Sequence, residues 1–246
     1  MSAANLSCFN RDSRLLSLGV LAAALAIAAV SARPYAGAWN DGSRLATVEC
    51  LVDYHTLAID RSIFVAPVPP GQPSPYPAND EVLRNGTADK LLIDGRFYSD
   101  KSPVPALFLA GTYQVLQWLT GLTARAQPGR FCYAMTLASS GLAYAVAVLC
   151  IYLLGRPLRL PLTLRLLLTA SFALATVALP YARHVNNHIL LLAVTAALML
   201  ALAHAAEDAL AGRINWPRLA LLGTLAGLGY TIDLGAGPPH LVCTLA

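Results

Sequence analysis

One passage of this chain, Trp39 to Pro105, gathers the residue types that proton transfer and charge stabilisation need. Nine of the thirteen carboxylates lie between Asp41 and Asp100, together with Arg44, Arg61, Arg84, Lys90, Arg96 and Lys101. The passage closes on Asp94-Gly-Arg-Phe-Tyr-Ser-Asp-Lys-Ser-Pro103, while the segments on either side carry almost no charge. A carboxylate such as Asp41 can act as a general base, and Lys101 with Arg44 or Arg96 can stabilise an anionic leaving group. Polar residues gathered beside apolar runs are what a water-facing site built against a membrane requires.

A second polar cluster is Arg183-His-Val-Asn-Asn-His188. His184 and His188 are four apart, the spacing that puts two ligands on one helix face, with Asp100 or Asp233 to complete a divalent metal site. The other reading makes the cluster a solvated helix start capped by Asn186 or Asn187. Both readings stand on the sequence. Trp39, Tyr98, Trp118 and Tyr181 likewise suit either interfacial anchoring or stacking on a sugar.

The rest of the composition says where these residues must be held. Of the 246 residues, 57% are hydrophobic and only 12% charged, against about 25% in a soluble domain, so the chain reads as an all-α integral membrane protein. The net charge of +4 comes from arginines scattered at the ends of apolar runs, which argues against nucleic acid as a partner. The five cysteines, Cys8, Cys50, Cys132, Cys150 and Cys243, show no C-x-x-C spacing and indicate neither a zinc site nor a disulfide framework.

Arg11 and Arg14 precede an uncharged run, Leu15 to Ala32, long enough to cross the hydrocarbon. A cleaved signal peptide is the rival reading, but the run exceeds the usual apolar core of about 7–15 residues. The expected organisation is therefore a cytoplasmic N-terminus over 1–14, a first span over 15–32, and an extracytoplasmic loop over 33–130. Within the loop, 41–56 places Leu45, Val48, Leu51 and Val52 on one stripe, with Arg44, Glu49 and Asp53 off it. That pattern predicts an amphipathic helix lying on the membrane surface, with Asp41 as its N-cap. A proline-rich insert over 66–77 follows, and Asn85-Gly-Thr87 matches a glycosylation sequon by what is most simply chance.

Residues 105–122 are apolar but contain Gln114 and Gln117. If this segment lies in the interface, Arg156, Arg159, Arg165, Arg213 and Arg218 fall inside and Arg125, Arg130 and Arg183 outside; if it crosses, the sets exchange. The positive-inside rule favours the interfacial helix. Four further spans then fill 131–246, over 131–154, 162–181, 188–206 and 219–232. This makes five in all and brings the loop, the His184 cluster and Asp233 to one face.

Trp39-Asn-Asp-Gly-Ser-Arg-Leu-Ala-Thr-Val-Glu49 and the closing Asp94 to Pro103 element, in this order after a first span, resemble bacterial membrane glycosyltransferases of the C-type superfamily. The similar proteins are 4-amino-arabinose transferases acting on lipid A and protein O-mannosyltransferases. The resemblance implies a polyprenyl-phosphate sugar as donor, inversion at the sugar carbon, and a site at the outer face of the bacterial inner, cytoplasmic membrane. It implies Asp41 as the catalytic base, Lys101 at the donor phosphate, Asp100 as the acidic residue before that lysine, and Asn186 or Asn187 near the family's third-span aspartate. Three positions depart from the family pattern: Ser102-Pro103 replaces Pro-Pro, Asn40-Asp41 replaces an acidic pair, and asparagine stands for the aspartate. Relatives of this kind carry further spans, so the chain is expected to be the first part of such an enzyme or to need a partner subunit. A non-catalytic membrane subunit and, last, a small transporter are the other readings. The transporter requires charges at mid-membrane, which are nearly absent from the sequence.

Overall fold

In a computed structural model the chain is mostly helical, with one small antiparallel ribbon. It describes residues 3–66, 69, 71–78, 80–233, 235 and 237–245. The first two residues of the expected cytoplasmic segment and part of the proline-rich insert lie outside the described residues. Two compact units divide the chain: a loop unit, Ser31–Gly141 with Tyr181–His188, and a helical unit made of Met1–Val30, Leu142–Pro180 and Ile189–Ala246.

The helical unit begins with α1 (Ala3–Ser31), whose apolar window Arg14–Ser31 coincides with the expected first span. The unit's next helix, α6 (Leu142–Leu154), continues a helix that starts in the loop unit as α5 (Pro128–Thr136) and passes through a π-helical turn, Leu137–Gly141. Pro128–Leu154 and α9 (Asn187–Leu210) are also long and apolar enough to cross a membrane, making three such helices among the described residues. The continuous helix expected over 162–181 breaks into α7 (Leu162–Ala175) and α8 (Ala178–Ala182). Pro180 causes the break: its ring would clash with the carbonyl four residues back, which belongs to Thr176. Thr176 is extended, donates its hydroxyl to the Phe172 carbonyl at 2.7 Å and accepts the Ala178 N–H at 3.2 Å. At 14 residues α7 spans about 21 Å, short of the roughly 30 Å of hydrocarbon. Helix α10 (Trp216–Ile232), capped by the Asn215 side chain, packs on α11 (Gly237–Leu245), and its Leu222 meets Leu198 and Ala201 of α9.

The loop unit is built around α2 (Trp39–Asp53). Against it pack α4 (Pro103–Thr120) and the second strand of a hairpin, β1 (Lys90–Ile93) and β2 (Arg96–Ser99). Short α3 (Glu81–Asn85) is capped by Asp80, whose carboxylate accepts the Leu83 N–H. Leu45, Val48, Ile59, Phe64, Leu109, Tyr113 and Phe131 form its core.

Here the surface-helix expectation is overturned. Helix α2 is buried on almost every side, including Asp41, Arg44 and Glu49. Two of the residues off the apolar stripe, Glu49 and Arg44, are tolerated there because they find partners inside. Glu49 accepts the Ser62 hydroxyl at 2.6 Å and the Ile63 N–H at 3.0 Å, and Arg44 donates to the backbone and side-chain oxygens of Asn40. The hairpin was also missed. Its turn, Asp94-Gly95, has positive φ at both residues, as a type I′ hairpin turn requires.

Helix α4 lies two residues earlier than expected and buries Pro105, Ala106, Leu109, Ala110 and Tyr113 against the unit. Its opposite side exposes Leu107, Phe108, Val115, Trp118 and Leu119, so the helix is apolar on both faces. Gln117 does not disturb this pattern, because its amide donates to Asp53 at 2.8 Å on the inner side.

Candidate functional site

Asp41 is the third residue of α2, not the cap, since the helix starts at Trp39 with Ala38 in the extended cap position. Its carboxylate reaches back over the first turn and accepts the Gly37 N–H at 2.8 Å, one residue before the N-cap Ala38, which ties the incoming chain to the helix start. The carboxylate is almost wholly buried. Burial pushes its pKa from 3.8 to about 6, against the opposing pull of the Gly37 and Ala38 N–H groups and the Arg44 guanidinium. A carboxylate tuned near neutrality is suited to accept a proton at physiological pH.

Lys101 follows β2 and stands between two carboxylates, Asp100 at 2.7 Å and Asp89 at 3.0 Å. Burial would depress its pKa, but Asp100 and Asp89 outweigh it and raise the value, so the ammonium stays charged. Asp89 also belongs to the Asp41 side of the site, where its charge adds to the upward push on the Asp41 carboxyl. The same residue lines a cleft of about 370 Å³ with Gly37, Ala38, Trp39, Asn40, Glu81 and Val82. The helix start carrying Asp41 and the carboxylate paired with Lys101 thus border one space. Two links fix this arrangement: Ser43 Oγ lies 2.6 Å from Ser99 Oγ, tying α2 to β2, and the Thr87 hydroxyl donates to the Trp39 carbonyl at 2.7 Å. That second link buries Thr87 of the sequon.

The other expected site residues are placed differently. Arg44 is buried and turned back on Asn40, and Arg96 opens β2 at the exposed hairpin tip. About 10 Å of strand separates Arg96 from Ser99, so the cations do not gather around Lys101. Tyr98 is half-buried in β2, opposite Leu91 and bridged to Ala58. Asn187 is buried at the start of α9, while the preceding Asn186 caps that helix through the His188 N–H at 2.8 Å. Asp233 ends α10 in the helical unit.

His184 and His188 share no helix, which corrects the metal reading. His184 lies in the turn before α9, 5.5 Å from the Tyr35 ring, and His188 meets the Tyr181 ring edge-on. Among the described residues no three His, Cys, Asp or Glu side chains converge as a metal site would need.

The structure adds Asp89, Glu81 and Gly37 to the site, none of them singled out by spacing. It also brings His184 to 4.0 Å from the Asp41 carboxylate. No family model matches the chain, and neither a curated protein nor a solved structure matches it.

Proposed function

We propose that this chain is a membrane glycosyltransferase of the C-type kind, or the N-terminal part of one, that moves a sugar from a polyprenyl-phosphate donor to an acceptor at the extracytoplasmic face. The observation that carries the reading is Asp41, a buried carboxylate with its pKa raised to about 6, in a helix start whose residues Gly37 to Asn40 line a cleft together with Asp89, the partner of Lys101. In the proposed step the acceptor O–H breaks and its proton passes to Asp41. The acceptor oxygen attacks the anomeric carbon, and the carbon–oxygen bond to phosphate breaks with its electron pair leaving on the phosphate. Lys101 would meet that phosphate, which then takes the place of a carboxylate at the ammonium.

The membrane part of the proposal has five spans: α1, the helix Pro128–Leu154, the α7–α8 pair, α9 and α10. The N-terminus is cytoplasmic, the loop unit is outside, and α4 rests in the interface of the inner membrane. Three helices of sufficient length and the apolar outer side of α4 support this reading. A non-catalytic membrane subunit is the second reading, favoured by the pairing of Lys101 with two carboxylates.

The deciding experiment measures sugar transfer from a polyprenyl-phosphate donor in membranes containing the full gene product. Asp41→Asn is expected to abolish transfer while leaving donor binding nearly intact, and Lys101→Ala to weaken both. Full transfer by Asp41→Asn removes Asp41 as the base, and donor binding without any transfer by the wild type selects the subunit reading.

A further inference from the structure

His184 reaches Asp41 from more than 140 positions away in the sequence, and the segment carrying it is pinned on both sides. The Arg183 carbonyl accepts the Arg33 N–H at 3.0 Å, and the Asn186 N–H donates to Ser140 Oγ at 2.9 Å. Ser140 sits in the π-helical turn, an irregularity that often accompanies functional positions. Between these anchors the imidazole Nδ1 lies 3.4 Å from the Tyr35 carbonyl and 4.0 Å from Asp41 Oδ2. The ring also covers Gly37: a Cβ there would fall 2.6 Å from both Nδ1 and Cε1. Glycine at position 37 therefore does two things at once, giving its N–H to Asp41 and leaving room for the ring beside that carboxylate.

We infer that His184 is a positioning residue for Asp41: its imidazolium, seated on Gly37 and tethered to the Tyr35 carbonyl, is the cationic partner of the buried carboxylate when that carboxylate ionises. Burial acts on the two groups in opposite senses, raising Asp41 and lowering His184, and so draws their titrations toward each other. Groups this close share protons as a pair, each favouring the charged form of the other. The remaining charges acting on them are Arg44 and Asp89 on Asp41, and Arg33 on His184, where the Tyr35 carbonyl also favours the protonated ring. The imidazole is about a quarter exposed and the Asp41 side chain about a twentieth, so the ring is also the nearer of the two to water. In the proposed reaction, on which this inference builds, the pair would hold Asp41 ready to take the acceptor's proton.

Histidine NMR on the purified protein in detergent micelles tests the pair without any assay of transfer. The His184 resonance is assigned by its loss in His184→Gln, and its titration midpoint is compared between the wild type and Asp41→Asn. The expected result is a midpoint lower by about one pH unit in Asp41→Asn. An unchanged midpoint in Asp41→Asn overturns the inference. Should that variant fail to fold, the reciprocal measurement decides: the carboxyl band of Asp41, followed by infrared spectroscopy, must titrate higher in His184→Gln than in wild type. Failure of the two ideas can be told apart. Coupled midpoints in a protein that transfers no sugar keep the pair and remove the glycosyltransferase, while Asp41-dependent transfer with uncoupled midpoints does the reverse.

Discussion

The Lys101 ammonium lies 3.0 Å from Asp89, and Asp89 is at the same time one of the charges that raise the Asp41 carboxyl. One carboxylate thus restrains the cation of the candidate site and disfavours ionisation of Asp41, the base of the proposed reaction. Asp89→Asn should relieve both effects. The acid limb of the pH–rate profile is expected to move down by a few tenths of a pH unit, and the donor KM to fall about twofold to fivefold as Lys101 becomes freer to meet phosphate. Steady-state kinetics between pH 5 and 8 would show it, and a higher KM would mean that Asp89 itself holds the substrate.

Asp41 carries a cost from the burial of its charge. Its pKa rises from 3.8 in the unfolded chain to about 6 in the folded one, so folding binds the proton more tightly. Below pH 3.8 the neutral carboxyl contributes fully to stability, and that contribution is lost as the pH rises through 6. The loss is on the order of 3 kcal/mol at neutral pH. Asp41→Asn, which keeps an oxygen for the Gly37 N–H, should therefore melt higher than wild type at pH 8, with the advantage shrinking toward pH 4.5. Thermal melts in detergent at both pH values test this. An equal gain at both would mean that charge burial is not the cause. A destabilised site retained by the protein is the pattern expected where activity needs the charge.

Glu49 shows the opposite use of a buried acid. One oxygen accepts from Ser62 and Ile63, and among the described residues the other, Oε1, accepts nothing. Burial raises its pKa, which favours the neutral acid. Glu49→Gln keeps an oxygen for both donors without the charge and should change stability by less than about 1 kcal/mol, whereas Glu49→Ala strands two buried donors and opens a cavity at a cost of about 3 kcal/mol. Equal losses in the two variants, read from denaturation midpoints, would show that the charge is what matters at this position.

The sequence displayed these features unequally. An uncharged run after Arg14 is a local property, and the apolar window of α1, Arg14–Ser31, matches it, although the helix itself begins earlier, at Ala3. Asp94-Gly95 between Leu91-Leu92-Ile93 and Phe97 was a local hairpin signal as well, overlooked because the surrounding composition reads as helical membrane protein. The burial of Arg44 and Glu49 was not legible, because periodicity assigns charged residues to the water face and cannot see that Asn40, Ser62 and Ile63 wait to receive them. The approach of His184 to Asp41 was out of reach for another reason. Two histidines four apart suggest a shared helix face, but α8 ends at Ala182 and α9 starts at Asn187, so His184 lies in the turn between them, and the anchors at Ser140 and Arg33 hold it beside α2.

Helix α4 decides the proposed topology, because the side of every later arginine depends on whether it crosses. Its inner face is committed to protein: Leu109 and Tyr113 enter the core, the Tyr113 hydroxyl donates to Asp53 at 3.0 Å, and Gln117 binds the same carboxylate. A helix crossing alone through lipid could not keep these polar contacts to α2, whereas one lying at the interface keeps them and turns Phe108, Val115, Trp118 and Leu119 to the acyl chains. Trp118 is the natural probe, since tryptophan prefers headgroup depth. In a variant with Trp39 and Trp216 replaced by Phe, its fluorescence in vesicles should be quenched more by lipids labelled near the headgroup than by lipids labelled deep in the chain. Stronger deep quenching would place α4 across the membrane. Reporter fusions supply the matching check: one after Leu160 should report the cytoplasm and one after Arg183 the far side. Exchanged signals would put the arginines of 156–165 outside, reverse the proposed topology and remove the interfacial assignment of α4 with it.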